Sequence, residues 1–309
     1  MIPSRKIRLL AAASALFIFL AAPPVTAREA QSEKARASGA PAAEARPALW
    51  KISDRDTTIY LFGTIHILPE ELGWFRGPVK RAFRSADQVV TETMTDSPET
   101  LQAIFAEKGI RRDGRTLRES LDDTQRENLE KSLSDLGLAV NSFDQFESWY
   151  AGLLLSLIPL KAAGYDQAKG VENQIDAMAK ASGVARHPLE TAEYQIGLFA
   201  ALPEASQRAY LSEVLEQLPT LKEDVAKLVK AWRRGRAEEL AELLNDDESD
   251  ETMRKVLITD RNQAWAKWLE GRLAQPGVVF VAVGAGHLAG AGSVQEQLSR
   301  DGIRTVRVQ

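Results

Sequence analysis

Val278-Val279-Phe280-Val281-Ala282-Val283-Gly284-Ala285-Gly286-His287 decides the fold. Its first six positions are all apolar, which predicts a strand buried on both faces, as interior strands of covered sheets are. A Gly-x-x-His element follows. Leu61-Phe62-Gly63-Thr64-Ile65-His66 repeats the pattern near the other end of the chain, so two of the three histidines share one local context. Glycine at a strand's end lets the backbone turn tightly and approach another group closely, throwing the histidine outward from the carboxyl edge. If the two strands are sheet neighbours, both imidazoles face one pocket. Gly63 and Gly284 are then the positions expected to contact a bound group.

Working outward, Ile59 to Phe62 after the turn-like Ser53-Asp54-Arg55-Asp56, Gln88 to Thr91, and Thr305 to Val308 also read as strands. Between Ser97 and Ala274 nearly everything has helical spacing, beginning with an N-cap and proline at Ser97-Pro98. Helices are expected over 121–136, 143–163, 170–182, 192–202, 204–218, 221–234 and 251–273, with a short strand candidate near Val184 to Leu189. The expected class is α/β: a small, mainly parallel central sheet with a large helical insertion between the first two and the last strands. Such sheets bind ligands at the carboxyl ends of their strands.

The amino terminus carries Arg5, Lys6 and Arg8, an apolar run from Leu9 to Ala22, and the small-x-small Val25-Thr26-Ala27. Residues 1–27 therefore read as a signal peptide, and the expected location is the periplasm or the extracellular space. The apolar run of about 14 residues is short of the roughly 20 that span hydrocarbon, so no stable transmembrane segment is expected after cleavage. Residues 28–47 lack large apolar side chains and are expected to form a disordered tether. Residues 48–309 are expected to form one domain. The chain holds no cysteine, which excludes disulfides and a cysteine nucleophile. Of 39 Lys+Arg, three lie in the signal peptide; the remaining 36 stand against 43 Asp+Glu, a net of −7. That excludes the basic footprint of a nucleic-acid partner.

Gly284-Ala285-Gly286-His287-Leu288-Ala289-Gly290 has the wrong spacing for a dinucleotide loop, and too little chain follows it. No P-loop, H-E-x-x-H or G-x-S-x-G occurs either. Glu92 follows the strand Gln88 to Thr91 directly, so its carboxylate should project from the same sheet edge. Two histidines and one carboxylate make a divalent-metal set with positions left for water. His66, His287 and Glu92 are thus the expected ligands of an ion such as Mn, Co or Zn, which would acidify bound water and polarise a carbonyl.

The residues quoted, together with Gly170-Val171-Glu172, Leu189-Glu190-Thr191, Gln195, Arg261-Asn262-Gln263-Ala264-Trp265 and Leu288, resemble the TraB/GumN (TraB/PrgY/GumN) family, distantly similar to the Tiki metalloproteases. The resemblance covers nearly the whole domain. It implies an α/β fold with the paired histidines and a glutamate at the site and, through the Tiki relatives, metal-dependent peptidase activity. It also singles out Arg261, which could orient a carboxylate or stabilise an oxyanion. The family often has aspartate where Glu172 stands, so that position is given no role. Glu190 reads as a helix cap or dipole partner, and His187 as structural or superficial. Two functions follow: an exported metal-dependent hydrolase of peptide or amide bonds, or a non-catalytic exported protein that sequesters a peptide or small ligand.

Overall fold

The computed structural model describes residues 44–69, 72–94, 97–244 and 250–309. The expected signal peptide, and the expected tether as far as residue 43, lie outside the described residues. Strands β1 (Leu49–Ser53), β2 (Thr57–Thr64), β3 (Gln88–Thr91), β4 (Ala185–Pro188), β5 (Gly277–Gly284) and β6 (Val306–Arg307) form one sheet in the order β4-β3-β5-β2-β1-β6. β2 and β5 run parallel in the register Gly63↔Val283 and Thr64↔Gly284. The two Gly-x-x-His elements therefore leave neighbouring strands side by side.

The class is mixed α/β, but the sheet departs from the mainly parallel expectation. β4–β3, β3–β5 and β5–β2 are parallel, whereas β2–β1 and β1–β6 are antiparallel. The cause is a hairpin not among the expected strands: Asp54 Oδ1 accepts from the amides of Asp56 (3.2 Å) and Thr57 (2.8 Å), turning β1 back onto β2. Antiparallel strands need only such a tight turn, whereas parallel ones need a crossover. The short strand expected near Val184 to Leu189 is β4, which extends the same sheet beyond β3.

β5 alternates between two cores. Val279, Val281 and Val283 pack with Ile59, Leu61 and Val90 against Trp265 and Leu269 of the helix Asp260–Leu273 and Leu298 of Val294–Arg300. Phe280 and Ala282 face the helices Gly77–Ser85, Val171–Ser182, Leu221–Arg233 and Ala237–Leu244. Burial on both faces is why the strand carries no polar side chain. A separate apolar core joins Pro98–Gly109, Asp123–Asp135, Ser148–Ala162, Ala192–Ala200 and Glu204–Gln217. No helix among the described residues is long and apolar enough to cross a membrane.

Two local departures bear on the site. Among the described residues, part of the expected tether is packed: Ala45 is buried in the core and the Arg46 amide donates to Arg233 O at 2.8 Å. Composition gives no sign of this, because backbone hydrogen bonds do the holding. The expected helix 251–273 is instead Glu251–Arg254, a π-helical turn Lys255–Thr259 and Asp260–Leu273. π-turns occur frequently at functional sites. Here Leu257 O accepts from the side chain of Arg261 (Nη1, 3.0 Å).

Candidate functional site

The two histidines are held in different ways. Gly170 lets the loop after β2 dock on the start of the helix Val171–Ser182: a Cβ there would lie 2.2 Å from His66 O, and Val171 N donates to Ile65 O at 2.9 Å. This places Glu172 Oε1 3.1 Å from His66 Nδ1, where it also accepts from the Thr64 hydroxyl. Glu172 Oε2 is buried with no hydrogen-bond partner among the described atoms. Burial pushes the Glu172 carboxyl up from its ordinary value. Gly170→Ala should therefore cost on the order of 1–3 kcal/mol in thermal or urea unfolding, because neither clashing group is a flexible side chain.

His287 is fully buried at 0% exposure. Asn262 Nδ2 donates to Gly292 O at 2.8 Å, so the atom facing the ring is Asn262 Oδ1, 2.6 Å from His287 Nδ1. Nδ1 therefore carries the proton, and Nε2 is left to accept from Arg261 Nη1 at 3.2 Å. Burial first, then the Arg261 charge, pull the His287 pKa down to about 3, so the ring is neutral at physiological pH.

Arg261, 1% exposed, sits at the centre. Its Nε donates to both Glu190 oxygens (3.0 and 3.1 Å), and its Nη2 to Glu92 Oε2 (2.7 Å). Trp265 lies 4.7 Å below the guanidinium and donates from Nε1 to Glu190 Oε1 at 2.9 Å. Gln195 Nε2 donates to Glu92 Oε2 at 2.8 Å, and Gly284 N to Glu92 Oε1 at 2.7 Å. Burial works to raise the Glu92 pKa, but Arg261, the two histidines and the Gly284 amide overcome it and hold the value at about 2. Burial pushes Glu190 up despite Arg261. Since His66 contributes to the lowering at both Glu92 and His287, the two histidines share one electrostatic environment.

The expected metal ligands do not fit an ion as they stand. The His287 Nε2 lone pair already takes an Arg261 N–H, and Glu92 accepts from three donors. Glu92 Oε1 and His287 Nε2 are 4.0 Å apart with the guanidinium against both residues. Among the described residues no three His, Cys, Asp or Glu side chains are placed to hold a metal ion. The glycines too serve the protein: a Cβ on Gly63 would lie 3.2 Å from Ala285, so its bareness packs one motif on the other, and Gly284 holds Glu92. Arg261 has its N–H groups turned to protein acceptors rather than to the cleft.

Glu190, Asn262, Gln195 and Glu172 join the site, although residue types and spacing alone assign them no chemical role there. Glu190 is not the cap: Thr191 Oγ1 caps the next helix by accepting from Tyr194 N at 3.1 Å, which leaves Glu190 to turn inward. His187 stands apart on β4, stacked on Trp268 with ring centroids 5.6 Å apart. Beside His66 opens a cleft whose walls include Thr64, Ile65, Gly286, Leu228 and Leu244.

Fold and site thus define a mixed α/β protein with a His–Glu pair and a buried Glu–Arg–His cluster at the ends of adjacent parallel strands. The chain belongs to the TraB/PrgY/gumN family, whose model matches residues 48–307. It is similar to the uncharacterized protein YbaP of Escherichia coli (strain K12) and to the protein of the same name from Shigella flexneri. Each is 24% identical over 243 residues, covering 77% of this chain and 87% of the relative. No solved structure matches.

Proposed function

We propose that the chain is an exported hydrolase of peptide or amide bonds in which His66, backed by Glu172, moves the proton. The observation that carries this is the 3.1 Å contact between His66 Nδ1 and Glu172 Oε1 at the wall of the cleft. A carboxylate on Nδ1 fixes the tautomer and stabilises the imidazolium that forms when the ring takes a proton from an attacking water. The same proton then passes to the leaving amine. Glu92 and Glu172, one held anionic and one pushed up, are a pair whose environments separate their proton affinities, as acid–base sites require.

No step is routed through a divalent ion, since two of the three donors expected for it, His287 Nε2 and Glu92, are engaged by Arg261, Gln195 and Gly284. The second reading, a binding protein that sequesters a peptide, is favoured by Arg261, whose contacts to Glu92, Glu190, Leu257 O and His287 leave it turned away from an oxyanion. Incubation with a mixed peptide library, followed by mass spectrometry, separates the readings. Cleavage products that still form in EDTA support the proposal. Products lost in EDTA and restored by Mn, Co or Zn return the ion, and with it a movement of Arg261. Retained peptide without product establishes the binder.

A further inference from the structure

The chain is acidic, with a formal net charge of −4, yet four arginines converge on one cavity away from the His66 cleft. Arg46, Arg76, Arg234 and Arg307 line a space of about 660 Å³ with Glu44 as its one acidic wall residue. Two of them are fixed by the protein. Arg76 pairs with Glu44, and Arg307 donates from Nη2 to Gly235 O at 2.5 Å while lying 4.7 Å over the Trp50 ring. Gly235 makes this approach possible: its φ of +66° is left-handed, and a Cβ there would meet Arg46 O at 2.5 Å. Arg46 and Arg234 are exposed.

We infer that this cavity binds an anion bearing phosphoryl groups. Arginine forks match phosphate oxygens in bidentate pairs, and a phosphate offers more charge and more acceptors than one carboxylate, which suits several guanidinium groups around one concave space. Glu44, already paired with Arg76, is the one acidic side chain against four guanidinium groups, and Arg307 also donates from Nε to Gln309 O, so positive charge stays in excess and an anion relieves the repulsion. The arginines carry the inference. The helix Gly77–Ser85 adds to it, since it begins on the cavity at Gly77 and Pro78 with no side-chain cap and no acidic residue in its first turn, so its positive end favours an anion. The phosphoryl group belongs to a soluble ligand or to an anionic lipid headgroup.

Calorimetric titration of the chain with pyrophosphate and with inorganic phosphate, at matched ionic strength in chloride, tests this. Saturable binding is expected, weakened at least ten-fold in the double variant Arg46→Ser/Arg234→Ser. Arg46→Lys/Arg234→Lys, which keeps the charge and loses the fork, should fall between the two. His66→Ala should bind as the wild type does, because the cavity is separate from the cleft. Sedimentation with phosphatidylglycerol vesicles identifies the source: binding that pyrophosphate competes away marks a headgroup, and pyrophosphate binding without vesicle binding marks a soluble ligand. No heat with either anion, or equal affinity in wild type and double serine variant, overturns the inference.

Discussion

Replacing His66 by alanine is expected to lower peptide turnover by about 10²- to 10⁴-fold, the range a positioned general base contributes, while leaving the melting temperature within a few degrees of wild type. His66 lies on a loop beyond β2, its side chain keeps 11% exposure, and the core clusters do not include it, so truncation removes chemistry more than packing. Glu172→Gln keeps the shape beside Nδ1 but loses the charge that stabilises the imidazolium. It should cost less than His66→Ala and shift the pH–rate profile, which a purely structural defect would not do. His187→Ala is the control. It alters only a surface stack on Trp268 and should leave turnover unchanged. Turnover by His66→Ala at the wild-type rate would end the assignment.

Parts of this site were open to sequence reading for a simple reason. A strand apolar at every position must lie inside a sheet, and a glycine at its end marks where the backbone turns out, so β5, β2 and the placing of Glu92 followed from composition along short stretches. Filled lone pairs leave no such trace. A metal centre and an arginine-bridged carboxylate cluster draw on the same histidine and glutamate residues at the same strand ends. What separates them here is a guanidinium on a helix more than 160 residues from Glu92, aimed by a π-turn that no periodicity reveals. Glu190 reads as a cap because it precedes a helix, where a carboxylate ordinarily caps. Only the presence of Thr191 in the capping position frees it to reach Arg261. β1 leaves no comparable trace, because the turn before β2 does not itself say which segment it turns back.

The same cluster sets a second large effect. Arg261→Met removes the one buried cation between Glu92 and Glu190, and breaking a buried pair by deleting one partner costs about 3–5 kcal/mol. At roughly 2–4 °C per kcal/mol for a domain of this size, the melting temperature should fall by about 10 °C. Adding Glu92→Gln and Glu190→Gln to Arg261→Met removes the stranded charges and should recover part of the loss, which a simple packing defect would not. The wild type should also weaken on acidification. His287 is held near 3 against an ordinary 6.5, so the unfolded chain takes up its proton first, and that share of stability is lost progressively as pH falls from 6.5 towards 3. Glu92 is held near 2 against an ordinary 4.5, and its share, complete above 4.5, is lost as pH falls towards 2. Both act in the same direction, and each unit of separation corresponds to about 1.4 kcal/mol. The urea midpoint measured from pH 8 to pH 3 should therefore begin to fall near 6.5 and steepen below 4.5. In His287→Gln the first of these declines should be reduced. Glu172 and Glu190, pushed up by burial, act in the opposite sense on acidification, so the comparison of variants decides: a decline from pH 7 towards 4.5 as large in His287→Gln as in the wild type would show that His287 is not held neutral by its surroundings and that Arg261 does not organise the cluster as described.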